Sequence, residues 1–151
     1  MKIFIGADHR GFILKKKFIT TLTQKGHDVV DMGSFIEGEA CDYPLISYKV
    51  AKAVAKSRDA KGILVCMTGI GHSIAANKVR GIRAALCYNK KAAHLSRAHN
   101  DSNILIVGSQ FVTQKNILGI VTTWLKSEFE GGRHLRRVNQ IKQIEKKICQ
   151  D

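Results

Sequence analysis

Apolar and polar positions along the chain fall into short runs whose period changes repeatedly. Ile3-Phe4-Ile5 is a β-type run ending at Gly6, and from Phe12 the spacing becomes helical, with Leu14, Phe18 and Leu22 on one face and Lys15, Lys16 and Lys17 beside them. Gly26 stops that helix, Val29-Val30 reads as a second strand, and the polar stretch from Gly33 to Asp42 reads as a loop. Pro44 stands where the first turn of a helix tolerates proline, ahead of Ile46, Val50, Ala53 and Val54 on a common face. Ile63 through Cys66 is continuously apolar, as a central strand covered on both faces requires. Thr68-Gly69-Ile70-Gly71 follows, then a helix over Ser73 to Lys78. The alternation continues with a strand over Arg83 to Leu86, a helix over Lys90 to Arg97, a strand over Asn103 to Val107 and a helix over Thr113 to Lys126.

Strands alternating with helices through short connections predict an α/β fold: a single-domain, open, parallel five-stranded sheet with helices on both faces, Rossmann-like, occupying residues 1–151. Glu130-Gly131-Gly132-Arg133-His134 breaks the alternation and opens a last helix, in which Val138, Ile141, Ile144 and Ile148 form an apolar stripe. Such a stripe has to be buried on its own sheet or on a second subunit, and a C-terminal dimerisation helix in a homodimer is the expectation.

Composition narrows the partners more than the fold. The 151 residues carry 25 Lys and Arg against 12 Asp and Glu, a formal charge of +13, which raises nucleic acid, acidic membranes and small anions. Only 7% of residues are aromatic and no recognition motif is present, so nucleic acid is not expected. No apolar run approaches the roughly 18 to 20 residues of a membrane span, and no membrane partner is expected. The N-terminus lacks the apolar stretch and cleavage site of a signal peptide, making the cytoplasm the expected location. Cys41, Cys66, Cys87 and Cys149 form no CxxC pair and no zinc-type spacing with histidine, so reduced thiols are expected and no metal site is called for.

In open parallel sheets ligands bind beyond the carboxyl ends of the strands. Those positions read Gly6-Ala7-Asp8-His9-Arg10-Gly11, Cys66-Met67-Thr68-Gly69-Ile70-Gly71 and Gly108-Ser109-Gln110. The first has the glycine spacing of a phosphate-binding P-loop, but Phe12-Ile13 replaces the Lys-Ser/Thr that would reach terminal phosphates and magnesium. Gly69-Ile70-Gly71 begins like a dinucleotide fingerprint, yet Ile74 holds the third glycine position and the motif follows the third strand. What the second segment does provide is a run of backbone N–H groups able to hold an anion or a developing oxyanion, with the Cys66 thiol at its mouth. A helix N-terminus there is expected to lower the thiol pKa, unless the sulfur only fills core volume. Asp8-His9 reads either as part of a site or as a helix cap with a bystander histidine, and His99-Asn100 either as site residues or as a loop tip. Because His99 precedes the fifth strand, it falls at the opposite edge of its own sheet unless a loop or a partner subunit carries it across. Arg133 and Arg137, one helical turn apart, either clamp a phosphate or belong to a solvated face. His27, His72 and His94 stay as surface or core residues.

Gly-Ala-Asp-His at 6 to 9, Asp42-Tyr43-Pro44, Cys66 to Gly71, Ala75-Ala76-Asn77-Lys78, Gly81-Ile82-Arg83-Ala84, His99-Asn100-Asp101 and Glu130 to His134 together closely resemble ribose-5-phosphate isomerase type B, of the ribose/galactose isomerase family. The resemblance runs from residue 2 to about 148. It implies interconversion of ribose 5-phosphate and ribulose 5-phosphate through a cis-enediolate, with no cofactor and no metal. Cys66 matches the catalytic base and Thr68 the relay between oxygens, while the backbone of Met67, Gly69, Ile70 and Gly71 would hold the enediolate. His99 matches the residue that opens the sugar ring, with Asp8 on the sugar hydroxyls and Asn100 and Tyr43 alongside. His9, Arg133 and Arg137 match phosphate ligands, with His134 beside them. The resemblance also implies a homodimer in which both subunits build each site, with a tetramer as the larger assembly. Met67 and Gln110 depart from the usual pattern, where Gly and Arg are common. An isomerase of allose 6-phosphate or galactose 6-phosphate, and a non-catalytic sugar-phosphate-binding subunit, are the alternatives.

Overall fold

The five apolar runs pair as β1 (Lys2–Ala7), β2 (Asp28–Asp31), β3 (Lys61–Cys66), β4 (Ala84–Leu86) and β5 (Ile104–Gly108) in a computed structural model that describes residues 1–148. Every pairing is parallel, and the strand order is β2-β1-β3-β5-β4. The helices are α1 (Phe12–Gln24), α2 (Tyr43–Lys56), α3 (Ile70–Ala76), α4 (Lys90–Asn100), α5 (Gln114–Lys126) and α6 (Gly132–Ile148).

The period of two along each strand explains why the runs are apolar throughout. Ile3, Ile5, Ile63, Val65, Leu105 and Val107 pack into one layer with Leu14, Phe18 and Leu22 of α1 and Ile117, Ile120, Val121 and Trp124 of α5. Phe4, Leu64, Ile104 and Ile106 point the other way, onto Ile46, Val50, Ala51 and Val54 of α2 and Ala76 of α3. Both faces of the sheet are therefore sealed by helices. Lys15, read from sequence among the lysines beside the apolar face, is wholly buried, and its ammonium donates to the Asp31 carboxylate at 2.6 Å and to the Ser34 carbonyl.

Element boundaries differ from the sequence reading in two places that matter for the site. Helix α3 starts at Ile70 and not at Ser73, so Ile70 and Gly71 form its first turn. Helix α4 runs on to Asn100, which makes His99 and Asn100 the last turn of a helix and not a loop tip. Asp101 ends that helix in the left-handed region at φ 46°. Its carboxylate holds Arg97 at 2.6 Å and Arg83 at 2.8 Å, and these two ion pairs fix the last turn against the amino edge of the sheet.

Of the apolar stripe on α6 only Val138 is buried; Ile141, Ile144 and Ile148 are 46%, 57% and 69% exposed. The helix does not bury the stripe on its own sheet, which removes one of the two expectations. A groove of about 610 Å³ runs beside these isoleucines, lined also by Ile82, Arg83 and Asn100. Among the described residues no helix is long and apolar enough to cross a membrane. Cys41, Cys66 and Cys87 are free, and Cys149 lies outside the described residues.

Candidate active site

With β1 leading to β2 on one side and β3 leading away on the other, the crevice between the carboxyl ends of β1 and β3 is the switch point of the sheet. Asp8 leaves β1 and Cys66 ends β3 at that crevice, and the Cys66 thiol donates to Asp8 Oδ2 at 2.9 Å. The other carboxylate oxygen of Asp8 accepts the backbone N–H groups of Arg10 at 3.1 Å and Gly11 at 2.9 Å. Asp8 is buried and shapes the turn before α1, while Gly11 holds the cap position of that helix without a side-chain cap. His9, next in the chain, is exposed at the same edge.

The loop after Cys66 is held from both sides. The Ser109 N–H donates to the Cys66 carbonyl at 2.8 Å and the Gln110 N–H to the Met67 carbonyl at 2.9 Å, so the segment after β5 braces the segment after β3. That approach needs Gly108, since a Cβ there would lie 2.4 Å from the Thr68 carbonyl oxygen. Gly69 turns the chain into α3 at φ +82°, a conformation costly for any residue with a side chain. The Thr68 side-chain oxygen accepts the Ile70 N–H at 3.3 Å, and the Thr68 carbonyl accepts the Tyr88 hydroxyl at 3.3 Å. Met67 is directed to Arg10, whose guanidinium donates to the Met67 sulfur at 2.9 Å. Tyr43, at the start of α2, packs its ring close to Gly71 and edge-on to His72, with ring centroids 5.7 Å apart.

The electrostatics of the sulfur reverse one expectation. Burial pushes the Cys66 thiol up from its ordinary value, and the hydrogen bond to Asp8 adds to that, whereas the Gly69 and Thr68 amides pull it down and are outweighed. The amides face the sulfur as the sequence suggested; the carboxylate beside it, and the dry surroundings, keep the proton on. His72, set aside in the sequence reading, is fully buried next to this pair. Burial lowers its pKa to about 4, against the attraction of Asp8, so its ring is neutral. One ligand-type atom each of Asp8, Cys66 and His72 lie within 4.8 Å of one another. The signal for His72 is its spacing from Ala76, which places the two on the inward face of α3; with the helix start drawn at Ser73 that spacing was lost.

A second cluster sits at the amino edge. His99 lies in the last turn of α4 and His134 in the first turn of α6, their rings stacked with centroids 4.1 Å apart and planes 6° from parallel. Glu130 Oε2 lies 3.8 Å from His99 Nε2 and 3.6 Å from His134 Nε2, and the Glu130 N–H donates to the Ala98 carbonyl at 3.0 Å. The His134 pKa is lowered by desolvation first, then by His99 and Arg133. Arg133 and Arg137 are exposed on the first turns of α6, and Asn100 is exposed close by. Sequence reading named Glu130 only as part of a motif; the geometry makes it the anion between two histidines. Within one chain, then, Asp8, His9, Tyr43, Cys66, Met67, Thr68, Gly69, Ile70 and Gly71 come together at the carboxyl edge. His99, Asn100, Arg133, His134 and Arg137 come together at the other, a strand length of about 15 Å away.

Residues 3–141 match the family model described as Ribose/Galactose Isomerase. Ribose-5-phosphate isomerase B of Escherichia coli K12 is 47% identical over 146 residues, covering 97% of each chain. The structure of the Clostridium thermocellum ribose-5-phosphate isomerase B superposes with a TM-score of 0.94 at 51% identity, covering 98% of this chain and 99% of that one. The crystal structure of the Mycoplasma genitalium ribose-5-phosphate isomerase B, with bound ribulose-5-phosphate, gives a TM-score of 0.93 at 44% identity and covers 96% of both chains.

Proposed function

The chain belongs to the ribose/galactose isomerase family, and on that premise we propose that it interconverts ribose 5-phosphate and ribulose 5-phosphate with Cys66 as the base. The observation that carries this reading is the Cys66 sulfur at the switch-point crevice, held by Asp8 at 2.9 Å and faced by the amides of Thr68 and Gly69.

Moving a carbonyl between C1 and C2 requires a base at the carbon acid and donors at the oxygen that becomes negative. The Cys66 thiolate takes the C2 proton of the open-chain aldose, the C2–H electron pair forms the C1–C2 double bond, and the carbonyl electrons move to O1. Amides of the 67–71 loop hold that enediolate. Thr68 passes a proton from O2 to O1, the C2 carbonyl forms, and the thiol returns its proton to C1. Asp8 orients the sulfur and, with Tyr43, meets the sugar hydroxyls. His99 opens the ring with Asn100 alongside, while His9, Arg133 and Arg137 hold the phosphate, with His134 stacked behind His99. Binding the phosphate far from the reacting carbons contributes orientation, so the arginines affect turnover as well as affinity.

These assignments need both clusters in one site, and a homodimer supplies them: the amino-edge cluster of one protomer meets the carboxyl-edge cluster of its partner, with the exposed isoleucines of α6 buried between copies. Activity of purified protein, without added metal, on a panel of pentose 5-phosphates and hexose 6-phosphates tests the reading. Ribose 5-phosphate is expected to show the highest kcat/KM. Preference for allose or galactose 6-phosphate would move the substrate to the hexose members of the family, and no turnover of any aldose phosphate would leave a sugar-phosphate-binding subunit.

The raised thiol pKa gives a pH dependence. Because the proton stays on Cys66 up to and beyond its ordinary value of 9.0, the reactive thiolate is a minor species near neutrality and grows about tenfold per pH unit. kcat/KM for the ketose is therefore expected to rise with near-unit slope through the neutral and mildly alkaline range. A plateau already reached at neutral pH would show that the free enzyme's base is not this thiol.

A further inference from the structure

We propose that Asp8, Cys66 and His72 form a binding site for a borderline-soft divalent cation of the Zn²⁺ kind, and that the bound cation blocks the enzyme by capping the sulfur. This goes beyond the isomerase reading and does not depend on which sugar is turned over.

The donor set is one thiol sulfur, one carboxylate oxygen and one imidazole nitrogen, all within 4.8 Å of one another. Three such ligands with a fourth position open are a zinc-type set, whereas Mg²⁺ and Ca²⁺ favour oxygen alone. The free nitrogen follows from the hydrogen bonds of Ser47. Its hydroxyl lies 2.9 Å from the Tyr43 carbonyl and 2.6 Å from His72 Nδ1, so Nδ1 is the ring nitrogen already engaged. Nε2 is buried and has no partner in hydrogen-bond geometry, which makes it the nitrogen open to a cation.

The ligands are also oriented from behind. Ser47 fixes the imidazole, and the Arg10 and Gly11 amides fix Asp8 through the oxygen that does not face the sulfur. Such outer contacts characterise metal ligands and are worth about ten- to a hundredfold in affinity. On binding, the Cys66 S–H bond breaks, its proton goes to solvent and a sulfur–metal bond forms. Sulfur and carboxylate oxygen then separate from 2.9 Å to the roughly 3.5 Å edge of a tetrahedral site. The two negative charges of thiolate and carboxylate balance the cation, so the buried site becomes neutral.

Titration of the reduced full-length protein with Co²⁺, followed by absorption, tests this without reference to activity. One cobalt per chain is expected, with a near-ultraviolet thiolate-to-cobalt band and the visible bands of four-coordinate cobalt, all displaced by Zn²⁺. Cys66→Ser should remove the thiolate band, and His72→Leu and Ser47→Ala should each weaken binding about tenfold or more. His134→Gln, at the other histidine cluster, should change neither band nor affinity. The proposal is overturned by a missing thiolate band, by a band that survives Cys66→Ser, or by wild-type affinity in both His72→Leu and Ser47→Ala. Absence of isomerase activity with an intact cobalt spectrum would count against the functional reading and leave the cation site standing.

Discussion

Cys66→Ala is expected to lower turnover of ribose 5-phosphate by roughly 10²- to 10⁴-fold, the contribution of a positioned base, while leaving the fold in place. The stability cost is small because the change removes one sulfur atom from the end of β3, where Asp8 keeps its two backbone donors at 3.1 and 2.9 Å. Circular dichroism and a thermal melt check the fold, and a coupled assay checks turnover. The affinity for substrate should change much less than kcat, since in the proposed reaction the sulfur acts on the reacting carbon and not on the phosphate. A variant with near-wild-type turnover would assign the base to another residue.

The second large effect is a gain. Cys66→Ala and His99→Asn disable opposite edges of the chain, and in a homodimer with shared sites a mixed dimer has one intact site and one doubly altered one. Unfolding the two variants together, refolding the mixture and assaying with the cyclic aldose should restore about a quarter of wild-type specific activity, because random pairing makes about half of the dimers mixed. The aldose is the right substrate, since the ring opening proposed for His99 is needed only in that direction. Activity that stays at the mean of the two parents would mean that Cys66 and His99 serve the same site within one chain, or separate functions.

The architecture was legible because each layer of the sheet leaves a periodic trace: runs such as Ile63 to Cys66 and Ile104 to Val107 are apolar at every position since helices cover both faces. The placement of His99 at the far edge was legible from chain order alone, as a residue just before β5. Its helical setting was not, because Asp101 ends α4 through ion pairs with Arg83 and Arg97, and the partner at 83 is distant in sequence. The direction of the thiol shift was hidden for a related reason. Helix position could be read locally, but the opposing carboxylate comes from Asp8, which sequence separates from Cys66 by 58 positions. Lys15 was missed as a buried group and His72 was left between surface and core, because burial depends on what packs above them, Asp31 and Ser34 in one case and Ser47 and Tyr43 in the other.

In the proposed reaction the Cys66 sulfur removes a proton from a carbon beside a carbonyl. Ribulose 5-phosphate kept in D₂O with the enzyme, and followed by proton NMR, addresses that transfer itself. The wild type is expected to replace one of the two C1 hydrogens with deuterium over many turnovers, and Cys66→Ala to leave both in place. Exchange by the folded variant at the wild-type rate would contradict the account.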